Sequence, residues 1–405
     1  MGIGSPGSRP QFTMPFPGGI RAVALTRGSE IPIMGKLIRK EGPMGYEALR
    51  RFVPGNAAKE IPPGNPACPV NGRDVYRALA AHETIVMACN IRIPLVVPGI
   101  MRAAKELDAV VAFELAKSEG DLKGGYTGMN PEIFVRTLIA AAKKAEFDTP
   151  FVIHGDHITV KNTTEAEIEG ARALIAAELA AGYTSFAIDA SFNEIPDNAR
   201  ITADLAGPIE ERKLGLEVEV GEIKSAGTEA HLSTVEEAVE LMERLAAAGV
   251  QPDLLAINNG SKHGNYLEGE KISIDLERTG QIYRVLHDRF GASIAQHGIT
   301  GTPLHLIGKF ASFGIRKGNV GTQWQNIAHA GLPPELMGRM RDWAKGAGKD
   351  IKFATKPFKA EIDAVPASYA SRIEKAAYEE AKLLFQAFRA AGTAKIVAGA
   401  LSAPA

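Results

Sequence analysis

TPFVIHGDHITVKNTTEAEIEGARALIAAELAAGYTSFAIDAS, residues 149–191, holds one complete structural unit. Its two ends, Thr149–His157 and Tyr183–Ser191, are short runs of apolar and β-branched residues of strand length. Between them lies a stretch of Ala, Leu, Ile and Glu that closes on Gly182, the composition of a helix with a left-handed C-terminal cap. Thr164-x-x-Glu167 has the spacing of a capping box at the start of that helix. Strand, helix and strand in this order make a crossover unit, whose strands must run parallel.

The unit repeats in both directions. Runs begin near Thr84 (TIVMACN), Leu107 (LDAVVAFEL), Thr149, Tyr183, Leu214 (LGLEVEVGEI), Asp253 (DLLAINN), Gly291 (GASIAQHG) and Ile315 (IRKGNVGT), seven steps of about 33 residues each. A second capping box is expected at Ser233-x-x-Glu236. Eight even steps predict an α/β fold, a (β/α)8 TIM barrel over residues 84–330. An open doubly wound sheet would ordinarily carry G-x-G-x-x-G after its first strand, and none follows Thr84.

Residues 1–83, rich in Pro and Gly (Pro15-Phe-Pro-Gly-Gly, Pro62-Pro-Gly-Asn-Pro), read as an irregular N-terminal extension packed on the barrel. Residues 331–405 read as a C-terminal helical extension, with helices over 333–348 and 366–391 and an Ala-rich tail of frayed helix or disorder.

The chain has 405 residues, 45% hydrophobic and 23% charged, which excludes a disordered or collagen-like protein. With 46 basic against 47 acidic residues the net charge is -1, so no overall field draws it to nucleic acid or an anionic membrane, and any bound anion must be gripped locally. Two cysteines, Cys68 and Cys89, exclude a disulfide framework and four-cysteine metal sites, and point to a reducing cytoplasm. No secretory leader is expected at the N-terminus, Pro6 stands where a myristoylation signal needs Ser or Thr, and no apolar stretch reaches membrane-spanning length.

In such a barrel, chemistry collects where strands end. Four runs end in metal-ligand types: His154-Gly-Asp156-His157, Glu217-Val-Glu219, Gly260-Ser-Lys-His263 and Gln296-His297. Singly, each has a bland explanation: a strand-end His is ordinarily a hydrogen-bonded structural residue, and Glu217 could pair with a neighbouring strand. Together, three histidines with a nearby carboxylate make the inventory of a catalytic divalent-metal site. Because strand residues alternate in direction, Asp156 and His157 can both reach the mouth only where regular pairing stops, so the third strand is expected to end at Asp156. Glycine-rich turns follow strands six, seven and eight, Gly260–Gly264, His297–Gly301 and Gly318–Thr322, and could cradle phosphate with backbone N–H groups or simply make tight turns.

These residues resemble the class II, zinc-dependent fructose-bisphosphate aldolases over about residues 84–328. The family's H-x-D-H is similar to His154-Gly-Asp-His157, its G-[FY]-T-S-V-M-I-D-x-S to Gly182–Ser191, and its following Asn and Thr to Asn198 and Thr202. Its E-x-E-L-G is similar to Glu217–Gly221, its H-G-x-Y to His263–Tyr266, and its H-G-G-S-G to His297–Gly301, all in order. The resemblance implies zinc or another divalent metal on His157, His263 and His297, Glu219 at an alternative or neighbouring metal position, and room for a monovalent cation. It implies Asp156 as the acid/base, Glu229 as the second acid, and a phosphate site from Gly264, Gly298, Thr300, Gly301, Asn319, Gly321, Thr322 and Ser118.

It also implies a small phosphorylated sugar as substrate and a cytoplasmic homodimer or homotetramer serving glycolysis or gluconeogenesis. The reaction would be reversible cleavage of a ketose phosphate, fructose 1,6-bisphosphate, to dihydroxyacetone phosphate and an aldehyde such as glyceraldehyde 3-phosphate. Departures from the pattern are local. N-x-D-T-D becomes Asn319-Val-Gly321-Thr322-Gln323, without either acid. The phosphate-holding Ser of Q-x-S falls on Glu114 or, in another register, Ser118. The far-phosphate arginine has no counterpart near Asp363, with Lys356, Lys359, Arg316 and Lys317 as substitutes. The loop Gly221–Glu229 is longer than the family's, and the N-terminal extension is foreign to it. Two rivals are a metal-dependent TIM-barrel hydrolase, which would open with H-x-H where Ala88-Cys-Asn90 stands, and a non-catalytic aldolase-like partner subunit, which would have no need of the histidines.

Overall fold

All eight predicted runs form strands: β1 Val86–Asn90, β2 Val111–Ala116, β3 Phe151–Thr159, β4 Ser185–Asp189, β5 Gly215–Val220, β6 Leu254–Ile257, β7 Ser293–Gln296 and β8 Ile315–Val320. Each pairs in parallel with the next, and β1 pairs with β8, closing a (β/α)8 TIM barrel in sequence order. The computed structural model of the chain describes residues 45–221, 232–262, 264–265, 270 and 272–403, all within the unit Gly45–Ala405.

The helices used below are α1 Gly72–Leu79, α2 Val97–Leu107, α3 Pro131–Lys144, α4 Glu165–Ala181, α5 Ile195–Glu211, α6 Val235–Ala247, α7 Leu276–Phe290, α8 Leu304–Phe310, α9 Thr322–Gly331, α10 Pro334–Ala347, α11 Ala367–Ala387 and α12 Thr393–Ser402. Helices α2 to α9 each follow one strand and cover the barrel. Among the described residues no helix is long and apolar enough to cross a membrane.

Alternation along the strands divides the core. Met87, Cys89, Val111, Phe113, Phe151 and Ile153 pack outward against the helices. Val86, Ala88, Ala112, Val152, Leu254, Ala256 and Ala295 face a second cluster with Val70, Val75, Tyr76 and Leu79, so α1 closes the barrel's N-terminal end. The backbone N–H of Gly72 donates to Thr184 O at 3.0 Å, and a Cβ at Gly72 would meet Ser185 Cβ at 2.6 Å, which requires glycine at this approach. Above this apolar layer the inward positions turn polar, and they build the site.

Three local expectations change. The capping box of α6 is Thr234 with Glu237, one residue later than Ser233-x-x-Glu236, because Ser233 Oγ is committed to Val220 O and to the N–H of Asn258. Thr164 is the N-cap of α4, but its side chain makes no capping bond. The Ala-rich tail is neither frayed nor disordered through Ser402: α12 buries Ala394 and Val397 beside α1, and Thr393 Oγ1 accepts the N–H of Val110 at 2.9 Å. Long-range bonds that no local composition reveals hold its first turn.

Helix α11 lies across α2 at Gly99, where any Cβ would run into Glu374 O. Gly99→Val is expected to force these helices apart and to destabilise the protein by about 1–3 kcal/mol, the usual cost of overpacking. Urea unfolding of the variant beside the parent checks this, and an unchanged midpoint would refute the tight crossing.

Candidate active site

Strand β3 supplies the centre of the site. It continues to Thr159, past the end expected at Asp156, but its pairing with β4 shifts register between Gly155 and Ile158, and His157 takes a left-handed φ of 40°. This bulge lets the consecutive residues Asp156 and His157 both face the C-terminal mouth. A Cβ at Gly155 would run into the Glu178 carboxylate of α4, which would have to shift.

A cavity of about 320 Å³ opens at that mouth, and Asp156, His157, Asp189, Glu219 and Asn319 line it. Both oxygens of Asp156 accept side-chain amides: Asn90 Nδ2 donates to Oδ2 at 2.8 Å and Asn319 Nδ2 to Oδ1 at 3.0 Å. Burial opposes its charge, yet His157 and Lys317 outweigh burial and hold Asp156 below the usual carboxylate range. His157 Nδ1 lies 3.3 Å from Asp189 Oδ2 and 3.2 Å from Glu219 Oε2. His297 Nε2 lies 2.8 Å from Glu217 Oε1, which makes that nitrogen the N–H donor, and its Nδ1 lies 3.9 Å from Glu219 Oε2. The two imidazole centroids are 4.4 Å apart.

Donor atoms of Asp156, His157 and His297 fall within 4.8 Å of one another, as do those of His157, Asp189 and Glu219. Buried imidazoles and carboxylates at this separation fit a divalent cation of the nitrogen- and oxygen-binding kind. A deeper group of Glu114, His154 and Asp156 is also close, but the Lys317 ammonium already provides its positive charge. Lys317 Nζ sits 3.2 Å from Glu114 Oε2, 2.9 Å from Glu217 Oε2 and 2.8 Å from Asn319 Oδ1, with no solvent exposure. Burial alone would remove its proton, and the two glutamates instead hold it charged. Burial, with the Asp156 charge, pushes Glu114 up, whereas Glu217 is held down by Lys317 and His297 against its own burial. Burial and Lys317 push His154 down to about 3, so it stays neutral, with Nδ1 2.8 Å from Ser185 Oγ.

Of the residues expected at a phosphate site, Ser118, Gly264, Gly298, Thr300, Asn319, Gly321 and Thr322 line the cavity, while Gly301 borders a neighbouring hollow of about 260 Å³. His263 and Glu229 lie outside the described residues. Glu114 is fully buried inside the barrel, whereas Ser118 lines the mouth. Lys317 is committed to its glutamates, Arg316 to the carbonyls of Ala80 and Ala311, Lys356 to Lys123 O and Lys359 to Asp363, so none of these four substitutes for the far-phosphate arginine lines the cavity. Asn90, Arg92, Glu119, Asp189 and Lys352 also line it, beyond the residues expected from the sequence. Asn90 and Asp189 are the last residues of their strands, a signal that could have found them.

A closed parallel barrel with imidazole and carboxylate donors at its C-terminal mouth is the architecture of a metal-dependent TIM-barrel enzyme. The chain belongs to the class II fructose-bisphosphate aldolase family, whose model matches residues 70–393. It is therefore an aldolase, a carbon–carbon lyase, in a family that depends on a divalent metal. It is 28% identical over 240 residues to the 6-phospho-5-dehydro-2-deoxy-D-gluconate aldolase of Halalkalibacterium halodurans, covering 57% of this chain and 73% of that one. It is 27% identical over 279 residues to the fructose-bisphosphate aldolase of Streptococcus pneumoniae, covering 68% and 86%. The YdjI aldolase of Escherichia coli K12 superposes with a TM-score of 0.56 at 20% identity, covering 80% of this chain and 98% of that one. A putative fructose-1,6-bisphosphate aldolase from Coccidioides immitis gives 0.58 at 18%, with the same coverage, and both share the fold.

Replacing Lys317 with Met would leave the Glu217 carboxylate buried without its cation and Glu114 without its partner. Lys317→Met is expected to lower stability by about 3–5 kcal/mol, as removal of one partner from a buried ion pair does. Denaturant titration measures it, and a loss under about 1 kcal/mol would mean the cluster does not hold the barrel.

Proposed function

We propose that this chain reversibly cleaves a ketose phosphate, fructose 1,6-bisphosphate, to dihydroxyacetone phosphate and an aldehyde such as glyceraldehyde 3-phosphate. The observation that carries this is Asp156: a carboxylate fixed by amides from β1 and β8, with donor atoms of His157 and His297 within 4.8 Å. Zinc would be held by His157, His297 and, by the family pattern, His263, with Glu219 at a neighbouring position. Bound there, it supplies the positive charge that stabilises the electrons left when the C3–C4 bond breaks.

The remaining steps belong to the chain. Asp156, held deprotonated by His157 and Lys317 against its burial, takes the proton of the C4 hydroxyl as the bond breaks. Asn90 and Asn319 fix its orientation, which a base acting on one hydroxyl needs. Glu229 returns a proton to the carbon that bears the charge. Ser118, Gly264, Gly298, Thr300, Gly321 and Thr322 bind the phosphate, with Gly301 behind them. By the same family pattern the protein works in the cytoplasm as a homodimer or homotetramer, with a monovalent cation beside the divalent one.

Coupled assays over a panel of ketose mono- and bisphosphates test the substrate, and the panel includes 6-phospho-5-dehydro-2-deoxy-D-gluconate because the Halalkalibacterium relative is named for it. Fructose 1,6-bisphosphate should be cleaved, and EDTA should abolish turnover. Asp156→Asn should lower kcat roughly 10²–10⁴-fold, the usual worth of a positioned acid/base, while metal content stays near that of the parent. Phosphate release without carbon–carbon cleavage would overturn the proposal in favour of hydrolysis.

A further inference from the structure

Arg92 follows β1, two residues beyond the Asn90 that holds Asp156, and its side chain is only 15% exposed. Three partners fix it. Nε donates to Glu119 Oε1 at 2.7 Å, and Nη1 donates to Gln325 Oε1 at 2.9 Å and to Thr322 Oγ1 at 3.3 Å. The guanidinium carbon lies 6.0 Å from the ring centre of Tyr126. The hydrogen bonds that Arg92 makes to described residues come from Nε and Nη1, not Nη2, and Nη2 is the nitrogen nearest Gly321, where a Cβ would come within 3.0 Å of it.

Residue 321 is the position at which the aldolase pattern N-x-D-T-D carries an acid. A carboxylate there would lie against Nη2 and take up its charge, whereas glycine leaves that N–H edge turned to the cavity Arg92 lines. The charge balance of the cavity gives the edge a task. Glu119, Asp156, Asp189 and Glu219 line the same space and repel any phosphorylated molecule. Lys161 and Lys352 also line it, as ammonium point charges on flexible stems, and backbone N–H groups at Gly298 and at the start of α9 carry only partial charges, while a guanidinium held in one orientation offers a full charge and planar donors matched to phosphate oxygens.

We infer that Arg92 is a substrate-binding residue, gripping the substrate's phosphoryl group beside Thr322 through Nη2 and selecting phosphorylated over neutral ketoses. This deepens the ketose phosphate assignment above and rests on it. Glu119, which also accepts Asn90 Nδ2 at 3.1 Å, is the positioning residue that keeps the guanidinium from folding toward the acids.

The test uses the full chain loaded with zinc and two readouts: calorimetric titration with inorganic phosphate, and KM and kcat for the ketose phosphate that the parent cleaves. Arg92→Lys keeps the charge and loses the fork, and is expected to raise both KM and the phosphate Kd about tenfold; Arg92→Gln is expected to raise both about 30-fold or more, with kcat falling much less. If Arg92 served only to neutralise buried Glu119, the pair Arg92→Gln with Glu119→Gln would recover the parent's phosphate Kd and KM; failure to recover supports substrate contact. Recovery in the double variant, an unchanged phosphate Kd in both single variants, or a parent that binds no phosphate would overturn the inference. A parent that binds phosphate but cleaves no ketose phosphate would sink the substrate assignment alone, because the phosphate titration still reports on Arg92.

Discussion

A fully buried ammonium group, pinned between Glu114 of β2 and Glu217 of β5, is the constraint on which the upper half of this barrel depends. Taking Lys317, Glu114 and Glu217 out of water costs several kcal/mol per ion, and only close, hydrogen-bonded partners offset it. The partners reach the site in two directions. Lys317 donates to Asn319 Oδ1, which turns the Asn319 amide nitrogen toward Asp156. Glu217, held by the same ammonium, accepts from His297 Nε2 and so sets the ring orientation and tautomer of that imidazole. One buried cation therefore orients both Asp156 and His297.

The same strands tolerate this charge because they are layered. On β1, β2 and β3 the inward column starts apolar and ends polar: Ala88 then Asn90, Ala112 then Glu114, Val152 then His154 and Asp156. The lower residues, capped by α1, bury apolar surface at roughly 25 cal/mol per Å² and stabilise the closed barrel, which leaves the upper layer able to carry groups that destabilise it.

The strands were legible because a period near 33 residues needs only composition to be seen, and Asp156, His157 and His297 were legible because strand ends are predictable once strands are. Lys317 and Arg92 were not. A lysine inside a strand reads as solvent-facing until its inward parity is known, and an arginine in a loop has no meaning until Gly321, 229 positions away, is seen to leave it room. Ser118 against Glu114 could not be settled from spacing, since both positions follow the same apolar run and only the pairing Glu114 with His154 places the glutamate inside. Ser233 and Thr234 are equally good caps, and the choice between them is made by bonds to β5 and to the end of β6.

The bulge in β3 ties strain to purpose. A non-glycine residue at φ 40° costs on the order of 1–3 kcal/mol, and a regular strand would avoid it. Regular alternation, however, would send either Asp156 or His157 outward into the helix layer, where a charged or polar side chain would be buried without partners at greater cost. In the bulged form Asp156 accepts two amides, His157 meets two carboxylates, and the Thr159 hydroxyl donates to His157 O at 3.0 Å. The strained conformation is thus the cheaper of the two, provided both side chains are required at the mouth. Regular alternation could present only one of them there, so the bulge is what brings Asp156 and His157 to the same mouth.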